Sequence, residues 1–207
     1  MIFFKKLFFN LRFLPIDIIL FLRGIKIIIP DDLFLLEKIF KLRKEVYEEK
    51  GYRSFENGCE FWQDEYDNKA INVGAFKNGE AMGAVRIIFR CNPGFPVENY
   101  FNIKEKIPEN CAEISKLVVK NGSRGGKRSI LIGLMKKALD LSFKKSLDHW
   151  IFFMPKGLSD SFRKMNINFE EMEIYPDTEE EIYNKKEMEG YFKQDIKPYT
   201  LSLKNLI

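Results

Sequence analysis

Residues 112–141 read AEISKLVVKNGSRGGKRSILIGLMKKALDL, and the fold is decided here. Ala112 to Val119 reads as a strand. Asn121-Gly122-Ser123-Arg124-Gly125-Gly126 is a glycine-rich turn, and Ile130 to Leu147 then has the apolar spacing of an amphipathic helix. Such a strand-to-helix turn presents free backbone amides at a helix start, where an anion is attracted and the helix dipole adds to the attraction. Arg124, Lys127 and Arg128 bring positive charge to the same turn, so Arg124, Gly125, Gly126, Lys127 and Arg128 form a candidate phosphate site. Neither GxxxxGK[ST] nor GxGxxG is present, which excludes a P-loop and a dinucleotide fingerprint. An ordinary solvated loop is the alternative reading of the turn.

On either side, strands and helices alternate. Gly24 precedes IKIII, a short strand. Pro30-Asp31-Asp32 opens a helix with Asp as its cap, carried by Leu33, Leu36, Ile39, Phe40, Leu42, Val46 and Tyr47 and ended by Gly51. Residues 52–69 are polar and irregular. Ala70–Phe76 and Ala81–Arg90 form a hairpin around Asn78-Gly79. Asn92 to Pro96 reads as a loop, His149–Met154 as a strand and Leu158–Met165 as a short helix. Ile167–Ile174 is a further strand, residues 176–190 are an acidic surface loop or helix, and Tyr199–Leu203 is a last strand. The fold class is α/β, in one domain over residues 24–207 behind an amphipathic segment, residues 1–23.

The 207 residues carry 34 basic and 30 acidic side chains, an excess too small for a general nucleic-acid binder. One histidine, His149, excludes a metal site built on several histidines, and Cys59, Cys91 and Cys111 have no zinc spacing. They read as reduced, structural thiols of a cytoplasmic protein. Twenty Phe suit a bulky core, an acyl pocket or a lipid-facing surface, and composition does not choose among them. In residues 1–23 the charges of Lys5, Lys6, Arg12, Asp17 and Arg23 interrupt the apolar run, so no bilayer span is expected. The segment suits either a helix lying in a membrane interface on the inner face of the membrane or one packed on the domain.

Several short motifs, in order, resemble acyl-homoserine-lactone synthases and the related N-acyl amino acid synthases. They are Arg43-Lys44-Glu45-Val46-Tyr47, Gly51-Tyr52, Asp64-Glu65-Tyr66-Asp67, Gly83-Ala84-Val85-Arg86 and Glu113-Ile114-Ser115-Lys116-Leu117-Val118-Val119. The resemblance covers about residues 25 to 175. It implies a GNAT-like three-layer sandwich, with a mixed, mostly antiparallel sheet between helices. It also implies transfer of a fatty acyl group from a carrier-protein or coenzyme A thioester to a small amine, with no permanently bound cofactor. Lys116 stands where the family has arginine, which loses a planar fork of donors. Tyr52 stands where many lactone synthases have tryptophan. The coenzyme A pattern is not clean at Arg124 to Ser129, which favours a carrier-protein phosphopantetheine.

Aminolysis of a thioester needs a proton acceptor for the amine, donors for the oxyanion and a stabilised leaving thiolate. Glu113 is the candidate base, with Ser115 beside it on the strand. Backbone amides around Leu117 to Val119 are the candidate oxyanion donors, provided that the strand bulges there. Asp64 and Asp67 are candidates to hold a cationic amine. Arg43, Arg86 and Lys116 are candidates to pair with these acids or to hold a substrate carboxylate. Competing readings are an acyl-CoA-dependent lipid-precursor acyltransferase and a non-catalytic acyl-chain or membrane-binding module.

Overall fold

The computed structural model describes residues 13–206 apart from 57, 91–93, 123–125, 164–166 and 168. Helix α1 (residues 13–22) leads into β1 (Ile25–Ile28), α2 (Leu33–Glu49), a 3-10 turn (Asp67–Lys69), β2 (Ala70–Lys77) and β3 (Glu80–Phe89). Then come α3 (Pro96–Tyr100), β4 (Cys111–Val119), α4 (Lys127–Lys144), β5 (His149–Pro155), α5 (Lys156–Arg163) and β6 (Glu170–Glu171). Helices α6 (Glu179–Lys186) and α7 (Glu189–Phe192) precede β7 (Ile196–Ser202). The strands form one sheet in the order β1-β2-β3-β4-β5-β7-β6. Every neighbouring pair is antiparallel except β4 and β5.

Two apolar layers sandwich the sheet, as alternation along its strands requires. Ala84 and Ile88 of β3 join α2 and α7 on one face, whereas Val85 and Ile87 join α1 and α4 on the other. Asp32 caps α2 by accepting from the Leu35 amide at 2.7 Å. The inward stripe of α2 contains Ile39, Phe40, Arg43, Val46 and Tyr47, so one charged residue occupies a core position.

Several elements differ from their sequence reading. Helix α4 starts at Lys127, three residues before its first large apolar residue, because the first turn of a helix can be polar and solvated. Of the loop expected at residues 92–96, Gly94 and Phe95 are irregular and Pro96 opens α3, with Glu98 Oε2 accepting from the Phe95 amide at 2.7 Å, while Asn92 and Pro93 lie outside the described residues. The strand expected over residues 167–174 pairs only at Glu170–Glu171, plus a bridge from Ile174 to Ile103. Residues 52–69 are irregular yet not simply solvated: Trp62 and Tyr66 are buried, and the Trp62 amide donates to Phe40 O at 3.2 Å.

The sheet splits at its centre. β4 and β5 pair only at Cys111–His149, Ala112–Trp150 and Glu113–Ile151, although each strand runs on beyond that point. At the split β4 also bulges. Ser115 faces Arg86 and Val118 faces Ala84, so Lys116 and Leu117 together oppose Val85 alone. Lys116 takes a φ of 51°, a left-handed value uncommon outside glycine. The bulge and the splay together open a V-shaped gap between the two strands.

Candidate active site

A cavity of about 270 Å³ lies at this gap. Its wall includes Glu113, Ser115 and Lys116 of β4, Arg86 of β3 and Phe153 of β5. The segment after α2 adds Arg53, Trp62, Asp64 and Tyr66, and α3 adds Asn99 and Tyr100. Asn184, Glu187 and Met188 come from α6 and its C-terminal end.

The charged groups form one network. Arg86 Nη1 donates to Asp64 Oδ1 at 2.5 Å and lies 3.3 Å from Asp67 Oδ2, while its Nε donates to Ser115 Oγ at 3.1 Å. Lys116 Nζ lies 2.9 Å from Asp64 Oδ2 and 3.0 Å from the centre of the Trp62 ring. Behind them, Arg43 donates to Asp67 Oδ1 at 2.7 Å and to Asn72 Oδ1. Buried charges persist only when paired and hydrogen-bonded, and here each ion has an opposite neighbour. Burial acts to raise the Asp64 carboxyl, but the Lys116 and Arg86 charges outweigh it and hold the group below the usual carboxylate range. Burial, aided by Arg86 and opposed by Asp64, pushes the Lys116 amine well below its ordinary value.

Glu113 is held differently. Its Oε2 accepts from the Val97 amide at 2.8 Å, while its buried Oε1 has no hydrogen-bond partner among the described residues. Burial raises this carboxyl to about 7, although the Val97 amide, Arg86 and Ser115 pull the other way. An unsatisfied buried acceptor is costly unless something else satisfies it.

The structure therefore brings Asp64, Arg86, Glu113, Ser115 and Lys116 to one cavity. Two other expected binding residues stand behind the wall. Asp67 accepts from Arg43 through Oδ1 and from the Asp64 amide through Oδ2 at 3.0 Å, so its carboxylate is not offered to an amine. Arg43 is fully buried and donates to Asp67 and Asn72, which is the acid-pairing alternative of its sequence reading. Sequence spacing could not separate Asp64 from Asp67, because a tight turn points them to opposite sides of one network.

Leu117 falls in the bulge, and Val119 lies beyond it, opposite Gly83. The Lys120 amide donates to Met82 O at 2.9 Å, which makes Gly83–Val119 a non-hydrogen-bonded pair. The Val119 amide therefore turns away from β3, toward the side where β5 has splayed off. Gly126 caps α4, and Lys127 and Arg128 are exposed in its first turn. Arg124 and Gly125 lie outside the described residues.

Sequence reading missed Trp62, Tyr100, Asn184, Glu187 and Met188. The acidic stretch after Tyr175 was expected to be plain solvated surface, yet its helix end closes the cavity, with Arg53 and Glu187 paired at 3.3 Å. At Gly190, a Cβ would sit 1.7 Å from Gly51 O, so glycine is what lets α7 press on the end of α2. The signal available was Trp62, one of only two tryptophans, standing in an otherwise polar stretch.

Residues 38–178 match the family profile described as N-acyl amino acid synthase FeeM. The chain belongs to this family. FeeM-family membership makes it an acyltransferase that acts on an amine. Among solved structures, the acyl-homoserine-lactone synthase LasI is 16% identical over 86% of this chain and 90% of its own, with a TM-score of 0.66. FeeM itself, an N-acyl amino acid synthase from uncultured soil microbes, is 13% identical over 87% of this chain and 91% of its own, with a TM-score of 0.58. A GNAT-family acetyltransferase from Staphylococcus aureus is 16% identical over 86% of this chain and 99% of its own, at a TM-score of 0.51. These likenesses establish the GNAT-like three-layer fold. No curated protein matches the chain in sequence.

Proposed function

We propose that this FeeM-family chain moves a fatty acyl group from an acyl-carrier-protein thioester to the amine of an amino acid or similar small amine. The observation that carries the reading is the unpartnered Oε1 of Glu113, buried on the wall of the cavity. A carboxyl raised to about 7 is half ionised near neutral pH, which suits a group that must take and return a proton.

In this reading the amine nitrogen attacks the thioester carbonyl carbon. The C–N bond forms, the C–S bond breaks, and Glu113 takes the proton lost by the amine. That proton then passes to the leaving thiolate, so Glu113 ends as it began. Asp64, with Arg86, Lys116 and Ser115, sets the polar wall against which the amine sits. Arg43 and Asp67 hold that wall from behind. The bulged peptide at Leu117 and the outward amide of Val119 donate to the oxyanion or to the pantetheine arm. The tail lies in the gap toward Phe153 and Tyr100.

The donor's phosphate rests at the start of α4. Gly126 leaves the first amides there without a side-chain cap, and Lys127 and Arg128 supply charge. Acidic carrier protein, not free coenzyme A, is the favoured donor, since clustered basic charge suits a protein surface as well as a phosphate. The protein works in the cytoplasm and touches the inner face of the membrane as a peripheral protein.

Incubation with acyl-carrier protein or acyl-CoA and an amino-acid mixture, followed by mass spectrometry, tests the reaction. The expected result is an N-acyl product from the carrier thioester, lost in Glu113→Gln. Product from acyl-CoA alone would overturn the donor assignment, and no product from either would overturn the reaction.

A further inference from the structure

Among the described residues, the cations on the cavity wall are Arg53, Arg86 and Lys116. Arg86 and Lys116 are shut away, at 1% and 8% side-chain exposure, and both are already paired with Asp64. Arg53 differs. Its side chain is 25% exposed, and its ion pair among the described residues is one contact of 3.3 Å, from Nη2 to Glu187 Oε2. A guanidinium carries five N–H donors in a flat fork, so one such contact leaves donors open to another carboxylate.

Aromatic rings hold this fork in place. Its central carbon lies 5.4 Å from the centre of the Phe55 ring and 5.3 Å from that of Trp62. Contact with ring faces restricts the guanidinium without consuming its donors. Trp62 also ties Arg53 to the place where the amine sits. Lys116 Nζ lies 3.0 Å from the centre of the same ring and 2.9 Å from Asp64 Oδ2. Tyr100, on the cavity wall, feels both ends. Burial pushes its hydroxyl up to about 12, with Asp64 acting in the same direction and Arg53 opposing.

Glu187 is a weak partner for such a fork. It is 55% exposed and stands at the C-terminal cap of α6, where the helix dipole works against a negative charge. An ion pair this open to water contributes little stability. A carboxylate of the chain thus occupies a place that a ligand carboxylate fits.

We infer that Arg53 binds the carboxylate of the acceptor, that Glu187 fills this place until the acceptor displaces it, and that the acceptor is an amino acid with a free carboxylate, not a simple amine. This rests on the reaction proposed above and selects among its acceptors.

Calorimetric titration of the full chain with free amino acids, each compared with its carboxamide, tests the inference. The expected result is an amino acid that binds at least about tenfold more tightly than its carboxamide, as a charge-assisted pair implies. Arg53→Gln should bring the two affinities together, and Arg53→Lys should keep part of the difference, since it retains the charge and loses the fork. Glu187→Gln should act in the opposite direction, tightening the amino acid several-fold and leaving the carboxamide unchanged. All three replace partly or largely exposed side chains, so circular dichroism should show a native fold. No binding by any amino acid would overturn the inference, as would equal affinity for the carboxamide or a preference that survives Arg53→Gln. N-acyl product from simple amines alone would overturn it and leave the reaction standing. A carboxylate preference abolished by Arg53→Gln, without N-acyl product from any donor, would support it and overturn the reaction.

Discussion

The Val97 amide holds one oxygen of Glu113, Oε2, at 2.8 Å, while the buried Oε1 of this cavity-lining residue has no hydrogen-bond partner among the described residues. The amide comes from the first turn of α3, so a short helix fixes the carboxyl while one lone-pair face stays available. Replacing Glu113 by Gln keeps the acceptor for Val97 and removes the proton acceptor. Turnover should fall by about 10²–10⁴, with carrier-protein affinity nearly intact. With the carboxyl at about 7, the parent rate should rise with pH and level off above neutrality, and the variant should lack that limb. A pH–rate profile for both chains checks this, and undiminished turnover would remove Glu113 from the mechanism.

The same carboxyl links stability to pH. Its folded value, about 7, lies above the ordinary value of 4.5, so folding favours the protonated form. The stability this contributes is fully present below 4.5 and lost as pH rises through about 7. Its full extent is on the order of 3 kcal/mol. Urea unfolding at intervals from pH 4.5 to 8 should show a falling contribution in the parent relative to Glu113→Gln. A pH-independent difference between the two would contradict the buried acid.

Breaking the ion network from behind should cost stability first. Asp67→Asn leaves Arg43 and Arg86 short of a carboxylate in a fully buried place, at a cost of about 3–5 kcal/mol. Removing Arg43 and Asp67 together, with apolar residues of similar volume, should cost less than the sum of the single changes. A double-mutant cycle by denaturant unfolding measures the coupling. If Asp67→Asn instead raised only the KM for the amine, the carboxylate would be a substrate ligand after all.

Charge at the start of α4 should act on the donor. Lys127→Ala/Arg128→Ala should weaken carrier-protein affinity several-fold at low salt and little at high salt, since exposed charges are screened beyond about 8 Å at physiological ionic strength. Binding measured by calorimetry at two salt concentrations decides this. A loss independent of salt would point to packing, not electrostatic attraction.

Much of the fold was legible in the sequence because it rests on local chemistry. Asp32 before an apolar stripe announces α2, Asn78-Gly79 announces the β2–β3 hairpin, and the glycine-rich turn announces the passage from β4 to α4. The identities of Asp64, Arg86, Glu113, Ser115 and Lys116 were also available, through ordered motifs. What each does with its charge was not. By sequence, Asp67 reads as a group to hold an amine and Arg43 as a partner for an acid or a substrate carboxylate; in the fold the two pair with each other behind the wall. Asn184, Glu187 and Met188 looked like solvent-exposed surface, yet they close the cavity.

Sequence alone determined the elements and the residue types, since periodicity and turn chemistry act over a few neighbouring positions. Only the tertiary structure decided that Asp64 meets Lys116, that Glu113 keeps one oxygen unpaired, and that β5 leaves β4 after three pairs. Those facts depend on strand register, on a single left-handed residue at Lys116 and on which side chains are shut away from water. Such long-range juxtapositions set the charge and proton affinity of a group, and no short stretch of chain encodes them.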